Sequence, residues 1–192
     1  FYQMATGIVR NTHQPDSFQR IGIERENFTW NFSDNLFIVT RLDGFDFEDA
    51  RNIVDRAIEA DGSFPTAPFL CMASSDDPRG ARDPECEFVI RHLDSLGVSG
   101  VWLPEFDGSL SGYEVSGYLT GSANLQDAIA GLDYAPGAIA CNLTSYGAVP
   151  TNFFCTEDGE QCPEAESQTS VGRFIRSGAT AVHGTVNEPY NH

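Results

Sequence analysis

Short apolar runs separated by helical stretches constrain this chain more than any other feature. Leu36, Phe37, Ile38 and Val39, with Thr40 after them, make one run, Pro68, Phe69, Leu70, Cys71, Met72 and Ala73 a second, and Val101, Trp102 and Leu103 start a third. Ala138, Ile139, Ala140 and Cys141 make a fourth, and residues 179–186 close the series. Runs of this length bounded by turn residues read as buried strands. Between them the apolar residues fall at helical spacing. Asp46 offers an N-cap, and Phe47, Ala50, Val54, Ala57 and Ile58 then share one face of a helix that Gly62 ends. Residues 84–96 predict a second helix, with Val89, Ile90, Leu93 and Leu96 turned inward and Gly97 as its stop. Residues 106–126 are rich in Gly and Ser, and the alternation of Tyr113, Val115 and Tyr118 predicts a weak strand ending in Thr120-Gly121-Ser122. A helical turn over 127–131 follows. A last helix over 170–177 carries Val171, Phe174 and Ile175 on one face, with Gly178 just past its end. Strand and helix alternate throughout, which predicts an α/β fold: a mostly parallel sheet covered by helices on both faces.

Residues 36–192 read as a single α/β domain. Residues 1–35 read as an irregular N-terminal arm, packed down by Phe28, Trp30, Phe32 and Phe37. The chain stops directly after a strand-like run, and this predicts a fragment of a longer polypeptide. The net charge is −17, and all 11 basic residues are Arg. That acidity excludes nucleic acid and anionic membrane surfaces as partners. It favours solubility at high salt, calcium association or a basic partner, and a protein partner or self-assembly is expected. No run of apolar residues is long enough for a membrane-spanning helix.

Five cysteines divide suggestively. Cys155 and Cys162 flank one polar loop, and Cys71 and Cys86 bracket an acidic one. If both pairs close as disulfides, the compartment is oxidising and Cys141 is left over. No CxxC or HxxxH spacing is present, so no zinc site is expected. Asp76, Asp77, Asp83, Asp107, Glu157, Asp158 and Glu160 lie in loops and are oxygen ligands of the kind calcium takes, without EF-hand spacing. No other cofactor is implied.

Three segments carry a resemblance. Val39-Thr40-Arg41-Leu42-Asp43-Gly44, the stretch Tyr134-Ala135-Pro136-Gly137-Ala138-Ile139-Ala140, and residues 176–190 with Gly184-Thr185-Val186-Asn187-Glu188-Pro189 resemble an uncharacterised family of bacterial secreted or envelope proteins. More distantly, the order of elements is similar to the gingipain branch of the caspase-like cysteine peptidases. Tyr118-Leu119-Thr120-Gly121-Ser122 stands where those enzymes carry a His-Gly motif, Ala140-Cys141-Asn142 where they carry the nucleophile, and Ser177-Gly178-Ala179-Thr180-Ala181-Val182 in their next segment. Thr120 replaces the catalytic His. The resemblance therefore implies a caspase-like fold, a location outside the cell or in its envelope, and a non-catalytic domain for binding or assembly.

Cys141 sits at the last apolar position of its run, at the mouth of the crevice where open α/β sheets bind ligands. It reads either as a nucleophile or as a small buried residue closing a strand. A thiolate needs a neighbouring base. The hydroxyl of Thr120 cannot serve, and His183, on the next strand, is the remaining candidate for a cysteine hydrolase. Thr120, Asn142 and Glu188, at strand ends, are candidate ligand-binding residues. A third reading, a structural subunit of an extracellular assembly, rests on the acidity, the aromatic N-terminal arm and the fragment-like ends.

Overall fold

The computed structural model describes residues 41–63, 66–149 and 168–186. Contacts divide the chain into Phe1–Arg41 and Leu42–His192, and the second unit is the one treated below. The aromatic arm, the run at residues 36–39, Cys155, Cys162 and Glu188 lie outside the described residues.

In chain order the elements are α1 (Phe47–Ala60), β1 (Phe69–Met72), a 3-10 turn (Arg79–Arg82), α2 (Asp83–Ser95), β2 (Gly100–Leu103), β3 (Glu114–Thr120), α3 (Gln126–Ala130), β4 (Asp133–Asn142), α4 (Val171–Arg176) and β5 (Ala181–His183). These strands form one sheet in the order β2-β1-β3-β4-β5, and every pairing is parallel. The α/β class expected from the alternation is thus observed. The chain moves from β1 to β2 on one side and then returns to lay β3 on the other. Such a reversal opens a crevice at the carboxyl ends of the strands.

Successive residues of a strand face opposite sides, and the two sides differ here. Leu70, Met72, Tyr118, Ala138 and Ala140 belong to the main core, with Leu125 and Ile129 around α3 and Phe174 of α4. Ser170 caps α4 by accepting from the Gly172 N–H. The opposite side has a small cluster of Cys71, Cys86 and Ile90, with Phe69, Leu93, Trp102 and Leu119 packed against it. Cys71 and Cys86 form a disulfide with a Cα–Cα separation of 6.3 Å, which ties α2 over β1. Beyond β1 this side is bare among the described residues: Ile139 of β4 is 52% exposed, and Ala181 and His183 of β5 are exposed too.

Three elements differ from expectation, each for a physical reason. The stretch read as a weak strand is β3, the centre of the sheet, with neighbours on both sides. Its small residues have a purpose, since a Cβ on Gly117 would run into the Phe69 ring. In α1 the apolar stripe faces out: Phe47 is 78% exposed and Ile58 69%, while Asp49 is buried. Polar anchors set this orientation. Asp49 accepts from the Phe45 N–H at 2.9 Å and pairs with Arg176 Nη2 at 3.0 Å. Arg56 donates to the Tyr134 carbonyl. A buried carboxylate without its cation is expensive, so this pairing outweighs apolar periodicity on a surface helix. In α2, Cys86 and Ile90 face in, but Val89 is 51% exposed and Leu96 is exposed as well. The disulfide fixes that rotation.

The main core contains two phenols, Tyr118 and Tyr134, whose hydroxyls have no acceptor among the described residues. Burial pushes both pKa values up from 10.0, with Asp107 adding to the effect at Tyr118 and Tyr118 at Tyr134. Raised folded-state values mean stability that is intact below the unfolded pKa and lost as pH climbs towards the folded one. Urea midpoints should therefore hold steady up to about pH 9 and fall above about pH 10, the ordinary range for Tyr. A midpoint unchanged from about pH 8 to about pH 11 would contradict the burial of both rings as the source of the shift.

Candidate functional site

One row of residues crosses all five strands: Trp102, Cys71, Leu119, Cys141 and His183 are successive register partners. Parallel pairing thus places Cys141 beside His183, and the Cys141 Sγ lies 3.5 Å from His183 Nδ1. The tautomer of the imidazole decides which of the two donates. Thr120 and Asn142 are register partners one position further on, so alternation puts them on the other side of the sheet. Leu119, not Thr120, is the β3 residue beside the sulfur.

Burial pushes the Cys141 thiol up from its ordinary value, and the charge of Arg82 pulls it part of the way back. The first effect wins, which keeps the sulfur protonated at neutral pH.

Two connected hollows meet at Cys141. The larger, about 680 Å³, runs between α2 and the bare strands. Val89, Ile90 and Leu93 form its helical wall, and Leu119, Ile139 and Ala181 its floor, with Phe69 at one side. The Phe69 ring can lie there because residue 117 is Gly. The smaller hollow, about 390 Å³, is lined by Met72, Arg79, Arg82, Asp83, Thr120 and Thr185, among others. Arg82, Cys86, Leu119, Cys141 and His183 border both. The apolar groove therefore opens into a polar chamber at the carboxyl ends of the strands, the end at which open α/β sheets place their ligands.

The chamber's carboxylate is already occupied. Asp83 accepts from the Ser74 N–H at 2.9 Å and from the Ser74 hydroxyl at 2.8 Å. Asp76, in the same loop, pairs with Arg79 Nη1 at 2.6 Å. Slight burial works against that carboxylate, but hydrogen bonds from Arg79 and Ser75 and the Arg79 charge hold its pKa below the usual range. The Arg79 Nε–H has no acceptor among the described residues. Asp107 accepts from Ser109. Among the described residues no group of three or more His, Cys, Asp or Glu side chains converges as a metal site. Glu157, Asp158 and Glu160 lie outside those residues.

Of the candidate ligand residues, Thr120 and Asn142 have structural bonds, and Glu188 lies outside the described residues. The Thr120 hydroxyl donates to the Ala73 carbonyl at 3.2 Å. Asn142 accepts from the Ser122 N–H at 2.9 Å and donates to the Ser122 carbonyl at 2.8 Å. It belongs to a buried polar layer that sequence reasoning missed. In that layer Thr169 accepts from the Leu125 N–H at 2.8 Å, and the Thr185 hydroxyl lies 2.5 Å from the Thr144 carbonyl. The signal was the density of Thr, Ser and Asn just beyond the strands. Buried polar groups of this kind need partners, and here they find one another.

No family model, curated protein or solved structure matches the chain. Among the described residues no helix is long and apolar enough to cross a membrane.

Proposed function

We propose that the chain is a non-catalytic, gingipain-like binding domain of a secreted or envelope protein, and that it binds its ligand or protein partner through the groove between α2 and β3–β5. The observation that carries this reading is the groove itself: an apolar hollow of about 680 Å³ on a sheet face left uncovered among the described residues, within the ~300–1,000 Å³ range of ligand pockets. The protonated state of Cys141 supports the non-catalytic part, and the Cys71–Cys86 pair is in keeping with an oxidising compartment. Nile red, a neutral apolar dye, should brighten on the native protein. Ile139→Asp, which puts a charge on the exposed floor, should abolish most of that signal, while Ile58→Asp on α1 should leave it unchanged. Equal dye binding by wild type and Ile139→Asp would sink the reading.

A second reading has its own observation. The 3.5 Å contact between Cys141 and His183 is within reach for a nucleophile and base in a resting site, and it favours a cysteine hydrolase. Its test is the rate of Cys141 alkylation at neutral pH compared with that of the unfolded chain.

A further inference from the structure

We propose that the groove docks an amphipathic helix of a protein partner, with its apolar stripe on the sheet beside α2 and Lys or Arg along its polar edges. This rests on the groove reading above and narrows it to one class of partner.

Shape selects the helix. Every strand pairing here is parallel, and such sheets are covered by helices on both faces. On the groove side α2 is tied over β1, and among the described residues nothing lies over β3–β5. Strands about 4.8 Å apart give those three a width of about 10 Å, the diameter of one helix. Val89 and Leu93 of α2 stand beside that space, and Leu119, Ile139 and Ala181 form its floor. Charge selects the sign of the partner. Val115 and Tyr134 are register partners that face the main core. Alternation therefore turns Glu114 and Asp133, the pair just before them, to the groove side, and both are exposed. Two like charges directly opposite are unfavourable until a cation joins them. Glu85, on the α2 side of the groove, is exposed too. None of these three carboxylates makes an ion pair among the described residues. The arginines at the far end are engaged: Arg79 pairs with Asp76, and Arg82 has an interaction of its own. Asp83, which borders the smaller hollow with them, keeps its charge while it holds Ser74. An apolar floor with unpaired carboxylates at its rim complements an apolar stripe with cationic edges. A net charge of −17 opposes a second copy as the occupant.

Fluorescence anisotropy with three labelled peptides tests this. All share one Leu stripe at helical spacing, and their polar faces carry Lys, Gln or Glu. At about 0.15 M salt, where distant charges are screened, the Lys peptide should bind at least about tenfold more tightly than the Glu peptide, with the Gln peptide between them. Glu114→Gln/Asp133→Asn changes two exposed side chains and should weaken the Lys peptide about threefold or more, the loss of two exposed ion pairs. Glu59→Gln/Asp61→Asn makes the same change of net charge on α1 and should leave binding unchanged. Ile139→Gln removes apolar floor without adding charge and should weaken the Lys peptide about fivefold. Equal binding of the Lys and Glu peptides, or equal losses in the two carboxylate variants, would overturn the proposal. So would self-association of the wild type that Ile139→Gln abolishes, which would make a second copy the occupant. A fall in urea midpoint on Ile139→Gln as large as that expected of a core residue would overturn it too, since this chain would then cover its own groove. If no peptide binds while Nile red is lost in Ile139→Asp, the helix fails and the groove reading stands. Dye binding indifferent to Ile139→Asp is the separate outcome that removes the groove reading itself, and with it this proposal.

Discussion

Phe174→Ala should destabilise the fold by about 3–5 kcal/mol, the range for deleting a buried aromatic ring. Phe174 has no exposed surface, and its ring meets that of Tyr118 at a centroid distance of 6.4 Å. Helix α4 has only six residues, too few to be helical without tertiary packing, and Phe174 is its one large buried anchor. The consequences reach the site. Directly after α4, the Ala179 N–H bonds to the Phe174 carbonyl at 2.9 Å and the Thr180 N–H to that of Ala138 at 2.8 Å. The Thr180 hydroxyl accepts from the Gly137 N–H at 2.9 Å. These contacts seat β5, and β5 carries His183. The variant should therefore shift the urea midpoint and also weaken dye binding in the groove. Ile58→Ala, on the exposed stripe of α1, should change stability by no more than about 0.5 kcal/mol. Similar losses at the two positions would mean that the core has been placed on the wrong face of the sheet.

The comparison of those two residues explains what was legible in the sequence. Apolar periodicity marked both as buried. It was right for Phe174, whose ring enters the main core beside Tyr118. It failed for Ile58, because the rotation of α1 is decided by Asp49, Arg176 and Arg56, and long-range polar contacts leave no periodic signature. Strand β3 was underrated for a related reason. Ser116 and Gly117 depress any apolar score, yet Gly117 is small because Phe69, far away in sequence, occupies the space beside it. The pairing of Cys141 with His183 was legible, since consecutive strands of a parallel sheet are often neighbours, and they are neighbours in register here. The groove was not legible. Among the described residues α2 is tied over β1 and leaves β3–β5 bare on that side, and no periodicity in the sequence marks such a face. The polar chamber was equally hidden: Arg79 and Arg82 belong to a segment after β1, and only the folded chain brings them to one hollow with Cys141 of β4 and His183 of β5.

Cys141 should be alkylated by iodoacetamide at about pH 7 more slowly in the folded protein than in the urea-unfolded chain. Alkylation consumes the thiolate, and burial raises the pKa of this thiol above its ordinary 9.0. Each unit of such a rise removes about tenfold of the thiolate at neutral pH. Restricted access would also slow the reaction, but it would leave the pH midpoint of the rate where the unfolded chain has it. A thiol held protonated by burial requires a midpoint that moves up. Arg82→Gln supplies the sign check. Its guanidinium stabilises the thiolate, so its removal should raise the midpoint further and slow labelling again. His183→Ala should leave Cys141 no faster than in the wild type. A catalytic pair predicts the reverse at every step. A thiolate sustained by an imidazole would label about tenfold or more faster than the unfolded chain, with a midpoint below about 7, and His183→Ala would abolish the excess. With the modified cysteine located by mass spectrometry, the two readings differ in the sign of the rate change, so one comparison of folded and unfolded protein decides whether the 3.5 Å contact is a reactive pair or a packed one.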